Sequence, residues 1–114
     1  MKSKEYMSLK KMIQYINKAL RYVEGCDFSS FSKNEEKVDA TIFAISQIGE
    51  LVKNVSENTM EKYNNIEWVV IKNLRNKIVH DYEGINLSLI WDILENDIIQ
   101  LKSDLEEILK NDSN

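Results

Sequence analysis

The only histidine of the chain, His80, stands five residues after Arg75 and two before Tyr82. All three lie in the run Leu74-Arg75-Asn76-Lys77-Ile78-Val79-His80-Asp81-Tyr82-Glu83-Gly84-Ile85-Asn86. An arginine and an imidazole that meet at one phosphate are enough, in principle, to cleave RNA without a metal. The guanidinium balances charge on the phosphorus, and the imidazole moves a proton near neutral pH.

The spacing leaves the geometry of that pair open. On an ideal helix, positions five apart differ by about 140° in direction, so Arg75 and His80 do not share a face. Asn76 and His80, four apart, do. Either the last helical turn relaxes and the long arginine reaches across, or a two-fold dimer sets two copies of the segment around one cleft. A structural account of the same residues is also open: the histidine against the carbonyl end of its helix, the arginine on a carboxylate, Tyr82 wedging the turn. Glu50 interrupts an apolar face in Ile48-Gly49-Glu50-Leu51. It is either a rim carboxylate or an inward partner for Arg75, and the second is preferred. A Ser/His/Asp arrangement is not indicated, and Cys26 has no activating base near it in sequence.

Four helical segments must position these groups. Leu9, Met12, Ile13, Ile16, Ala19, Leu20 and Val23 form the first stripe, with Ser3 as N-cap and Gly25 as stop. Ser32 to Glu35 reads as a capping box opening a second helix along Val38, Ile42, Ile45, Ile48, Leu51 or Val52, and Val55. Phe28 and Phe31, just upstream, suit a short helical turn that lids the core. After a polar connection from Ser56 to Asn64, Asn65 can cap a third helix with Glu67 in its first turn and Trp68, Ile71, Leu74 and Ile78 inward. Gly84 is expected to end it in the left-handed conformation, with Ile85 folding back on Val79. Asn86 can cap the fourth helix, with Ile85 stapled on Ile90. Its stripe is Ile90, Trp91, Leu94, Ile98, Leu101, Leu105 and Ile108. A connection of about three residues makes the last two helices antiparallel neighbours. The expected fold is all-α: an up-and-down four-helix bundle with one or two short extra helical turns, as one domain over residues 1–114.

Composition agrees. The 114 residues include no proline and only three glycines, too few turn formers for an all-β domain. No apolar run approaches the roughly 20 residues that span a bilayer, and no apolar signal region follows the N-terminus. A single cysteine fits a reducing cytoplasm, and one Cys with one His cannot alone build a zinc site. No metal and no other cofactor is expected. The net charge of −4 argues against a general nucleic-acid coat. The segment from Trp68 to His80, however, carries Lys72, Arg75 and Lys77 and no acid, whereas the last 25 residues are strongly acidic. A local basic strip suits a small anionic target or one selected strand.

The octet Arg75 to Tyr82 resembles the arginine, four residues, histidine, one residue, tyrosine signature of the HEPN superfamily. The whole layout is similar to its HepT-like branch, the toxins of MNT–HEPN toxin–antitoxin pairs. Ile48-Gly49-Glu50, Ile66-Glu67-Trp68 and Gly84-Ile85-Asn86 before Ile90-Trp91 resemble that branch in order and spacing. Glu67 departs from it where a proline is expected at the helix start, which should affect capping and not chemistry. The resemblance implies a metal-independent endoribonuclease of a type VII-like pair, a homodimer whose paired Arg75 and His80 form the cleft and cut RNA, tRNA among the candidates, through 2′-hydroxyl attack. It implies that Asn76 supports His80 or a phosphate oxygen, that Lys72 and Lys77 position the strand, and that Tyr82 accepts adenylyl groups from a cognate minimal nucleotidyltransferase antitoxin. The alternative it leaves is a non-catalytic HEPN partner that binds, or presents substrate to, a nucleotidyltransferase.

Overall fold

A computed structural model describes residues 1–80 and 84–112, His80 by its backbone. The fold is an all-α helical bundle of four arms. The first is α1 (Ser3–Tyr22). The second joins α2 (Phe28–Ser32), α3 (Glu35–Leu51) and a 3-10 turn (Val52–Asn54). The short helix α4 (Glu57–Lys62) leads to the third arm, α5 (Trp68–Lys72) and α6 (Leu74–Ile78). The fourth runs through α7 (Leu87–Asp92), a π turn (Ile93–Asp97) and α8 (Ile98–Asn111). Helix α1 packs on α3 and α8, and α3 packs in turn on α5 and α6.

The stripes read from sequence become the core. Leu9, Met12, Ile16, Ala19, Ile45, Ile48, Ile78, Ile90, Ile98 and Leu105 are fully buried. Side chains of Leu and Ile size each contribute roughly 1.5–3 kcal/mol on burial. Phe31 is buried and packs on Trp91 with ring centroids 5.2 Å apart, so α2 lids the core as expected, while Phe28 stays more exposed at the edge of the same ring. No helix among the described residues is long and apolar enough to cross a membrane.

Local punctuation differs from expectation at several points. Helix α1 starts with Ser3 already inside it; Lys2 holds the cap position and makes no side-chain cap. Gly25, at φ +79°, follows its end as expected. The Ser32 capping box does not form. Ser32 closes α2, donating its hydroxyl to the Ser29 carbonyl at 3.1 Å, and Asn34 caps α3 by accepting from the Lys37 N–H at 3.1 Å. A capping box lies one helix earlier, between Asp27 and Ser30. The expected polar connection folds into α4, because Ser56 accepts from the Thr59 N–H and caps it. The N-terminal arm holds that cap in place: the buried Glu5 carboxylate accepts from the Ser56 N–H at 2.7 Å.

The third helix is broken. Asn73 sits between α5 and α6, its N–H shared by the Val69 and Val70 carbonyls and its side-chain amide donating to Val69 O at 3.0 Å. That self-capping ends one short helix before the next begins. Asn65 is not the cap of this arm; Glu67 holds that position without a side-chain cap. Helix α6 also stops early. The Ile78 carbonyl accepts from the Asn86 N–H at 2.8 Å instead of continuing the helical ladder. Val79–His80 (β1) and Gly84–Ile85 (β2) then pair antiparallel, Val79 opposite Ile85 and His80 opposite Gly84. Gly84 has the expected left-handed φ of +82°, but inside this minimal hairpin and not at a helix end. The connection between the last two arms is therefore residues 79–86, longer than the three expected. Asn86 caps α7 as read, accepting from the Leu89 N–H at 3.0 Å.

Candidate phosphate-binding and catalytic site

The close approach of α3 to the third arm is made at Gly49. A Cβ there would lie 3.1 Å from both the Ile71 and the Lys72 carbonyl oxygens. A residue without a side chain lets the two backbones meet at this separation without either giving way. Beside the crossing a groove of about 540 Å³ opens. Helix α3 and the following turn supply Ser46, Gln47, Glu50 and Lys53 to one wall; α5, Asn73 and α6 supply Lys72, Arg75 and Asn76 to the other.

The structure thus gathers four sequence-expected groups, Lys72, Arg75, Asn76 and Glu50, in one concavity. Glu50 is not the inward partner of Arg75 that was preferred. It is a rim carboxylate, paired with Lys53 Nζ at 3.3 Å, and both side chains are more than half exposed. One turn of helix separates the two, so Lys53 reaches Glu50 at little cost in side-chain order. Arg75 is exposed and makes no ion pair with any described residue. Three cations and one carboxylate give the groove a net charge of about +2, counted from its lining, in a chain of net −4.

His80 is held by β1, not by the last turn of α6. The helical angles that separated Arg75 from His80, and aligned Asn76 with it, therefore do not apply. The backbone is already extended at Val79 (φ −105°, ψ 112°). The hairpin fixes the His80 backbone two residues beyond the helix that carries Arg75. Tyr82 lies outside the described residues.

Lys77 is not part of the groove. It acts electrostatically on Asp97, in the π turn of the fourth arm. Burial pushes the Asp97 carboxyl above its ordinary range, Asp92 and Glu67 add to the rise, and Lys77 opposes it. A second groove, of about 300 Å³, lies there between α5 and α8, with an apolar floor that includes Val70 and Leu74 and a rim of Glu67, Asp97 and Asp104. The third arm thus divides a basic groove from an acidic one.

Lys53, Ser46 and Gln47 were not singled out from sequence. For Ser46 and Lys53 the signal was present: positions 46, 49, 50 and 53 recur at three- and four-residue steps and so share one face of a helix, turned about 120° from the apolar stripe through Ile45, Ile48 and Val52.

A family described as Ribonuclease HepT-like matches residues 12–108. The chain belongs to that family. Its HepT-like relatives include a provisionally named RNase of Methanocaldococcus jannaschii, 32% identical over 88% of this chain and 83% of the relative. Another provisionally named RNase, from Caldanaerobacter subterraneus, is 30% identical over 91% of this chain and 93% of its own. A Thermococcus cleftensis protein provisionally named as a ribonuclease HepT is 29% identical over 73% of this HepT-like chain and 76% of its own. No solved structure matches significantly.

Proposed function

We propose that this HepT-like chain is a metal-independent endoribonuclease, the toxin of a type VII-like toxin–antitoxin pair. The observation that carries the reading is the groove at Gly49, where an arginine without an ion pair among the described residues stands beside lysines and amides. That is the chemistry a phosphodiester requires. The 2′-hydroxyl of the RNA attacks the adjacent phosphorus, forming the 2′-O–P bond as the P–O5′ bond breaks. His80 takes the hydroxyl proton and returns one to O5′, leaving a 2′,3′-cyclic phosphate and a 5′-hydroxyl. Arg75 stabilises charge on the phosphoryl oxygens, two of which a guanidinium fork can meet at once. Asn76 supports the phosphate from the same wall, and Lys72 positions the strand. Glu50 supports the site from the opposite rim only as the resting partner of Lys53.

The active form is a homodimer that brings two Arg75–His80 segments to one cleft. The cognate partner is a minimal nucleotidyltransferase that adds adenylyl groups to Tyr82. Such a group sets bulk and negative charge in a cleft built for phosphate and blocks RNA. The test is incubation of the pure protein with tRNA in excess chelator. Cleavage products ending in cyclic phosphate, absent with His80→Ala protein, support the reading. RNA that is bound but never cut would transfer it to the non-catalytic partner role.

A further inference from the structure

The groove contains one cation that the family chemistry above does not use. Lys53 lies in the 3-10 turn after α3, on the wall opposite Lys72 and Arg75, and holds Glu50 at 3.3–3.4 Å. Both partners are largely exposed, and an exposed pair of this kind is weak and easily exchanged. Phosphate is a stronger lure for an ammonium than one solvated carboxylate, since it offers several anionic oxygens in a pocket already lined by two other cations. Gln47 and Asn76 add neutral side chains able to donate hydrogen bonds, one from each wall. At Gly49 the backbones of α3 and α5 meet, so an anion entering the groove beside it has side chains of α3 and its following turn on one wall and of α5 and α6 on the other.

Lys77, the other lysine of the basic strip, faces a different environment. Asp97, with Asp92 and Glu67 acting on it, lies on that side. A strand laid across it would be repelled.

We infer that Lys53 and Lys72 form a strand-positioning subsite, taking a phosphate of the RNA that flanks the cleaved one, with Glu50 as the counter-ion that phosphate displaces from Lys53. This rests on the ribonuclease reading for its substrate, but it concerns binding and can be tested apart from cleavage. Lys53 is a positioning residue and takes no part in bond making or breaking.

The experiment is fluorescence anisotropy with a labelled single-stranded RNA whose 2′-hydroxyls are all methylated, so that it binds but cannot be cut. Wild type, Lys53→Ala, Lys53→Arg, Glu50→Gln and Lys77→Ala are titrated over a salt series. Lys53→Ala should weaken binding about 5- to 10-fold at low salt and reduce the slope of log affinity against log salt by about 0.7, the signature of one lost phosphate contact on a single strand. Lys53→Arg should restore most of both. Glu50→Gln should bind more tightly than wild type, and Lys77→Ala should lose less than about twofold. With cleavable RNA, Lys53→Ala should raise KM and leave kcat unchanged.

An unchanged salt slope in Lys53→Ala, or an equal loss in Lys77→Ala, overturns the subsite while cleavage by wild type keeps the ribonuclease reading. The converse is equally distinct. If wild type never cuts RNA but Lys53→Ala still loses the slope of one phosphate contact, the subsite stands and the nuclease assignment falls. Absence of any RNA binding by wild type overturns the subsite outright.

Discussion

Gly49→Ala is the substitution that most directly probes how the site is built. Two effects oppose each other. Alanine in the interior of α3 gains about 0.8–1.0 kcal/mol of helix propensity over glycine. The added methyl, however, would lie 3.1 Å from two backbone carbonyl oxygens, those of Ile71 and Lys72, so the arms must part by a few tenths of an ångström. The neighbouring backbone is poorly able to yield. Ile71 and Leu74 are core residues on either side of it, and Asn73 fixes the break between them through its side-chain bond to Val69 O. Overpacking of this kind costs roughly 1–3 kcal/mol, which leaves a net loss of about 1 kcal/mol. For a domain of this size that lowers Tm by about 4 °C.

The same displacement moves Lys72, Arg75 and Asn76 away from Glu50 and Lys53. If a 1 Å misplacement costs about 100-fold in rate, a shift near 0.3 Å costs about fourfold. Urea unfolding gives the first quantity. Single-turnover RNA cleavage, well below the melting range of both proteins, gives the second. A variant that is more stable than wild type by the full propensity gain and equally active would refute the reasoning, because the crossing would then have room to spare.

Arg75→Ala and His80→Ala should each abolish cleavage in chelator while keeping the wild-type circular dichroism spectrum and a Tm within a few degrees; residual cutting by His80→Ala protein would remove the proposed step. Tyr82→Phe should keep much of the cleavage activity yet gain no adenylyl mass after incubation with the cognate transferase and ATP, and equal modification by intact mass would place the acceptor elsewhere. Glu5→Ala should lose about 2 kcal/mol at pH 7, as expected for a buried carboxylate accepting bonds from a helix cap. Burial pushes that carboxyl up, but hydrogen bonds from Thr59 and Ser56 more than offset this and leave it below its ordinary range. The stability it supplies is therefore present above the unfolded carboxylate pKa and lost as pH falls through the lowered one, and paired urea titrations should show the two proteins converging there. Asp97→Asn should do the opposite at neutral pH and raise Tm, because the folded state lifts that carboxyl above its ordinary range. Protonation relieves the wild type as pH falls, so the advantage of the variant should shrink in acid; a gap that widens would contradict the sign.

Stripes and caps that depend on near neighbours were legible in the sequence. Asn86 caps its helix as read because an Asn before an apolar run has one nearby N–H to satisfy, that of Leu89. The core positions Leu9, Met12, Ile16, Ile45 and Ile98 follow from periodicity alone. The failures lie where two local solutions compete or where distant chain decides. Ser32 could cap the next helix or close its own, and Asn34 was better placed to cap. Asn73 looked like an ordinary polar residue on a helix, yet its side chain returns to Val69 and ends that helix. Ile78 gives its carbonyl to Asn86, eight residues on, and no helical periodicity could anticipate that choice. At the site, Lys72, Arg75, Asn76 and Glu50 were named before their meeting was known. Lys53 shares a helix face with Glu50 in the sequence, but only the crossing at Gly49, a tertiary fact, sets that face against Lys72 and Arg75.

The π turn at Ile93–Asp97 gives the last arm one place where its length can vary. A π turn accommodates one residue more than the α-helical ladder on either side of it. Deleting a single residue there would return the turn to α spacing with α7 and α8 still facing the core. The same deletion between Ile99 and Asp104 would rotate all that follows by about 100°. Leu105 and Ile108 would leave the interior, and Asp112 would be carried away from Lys62 and Tyr63, which anchor it. Tolerance of a single-residue deletion should therefore be confined, within Ile93–Asp104, to one turn, the turn that also carries Asp97.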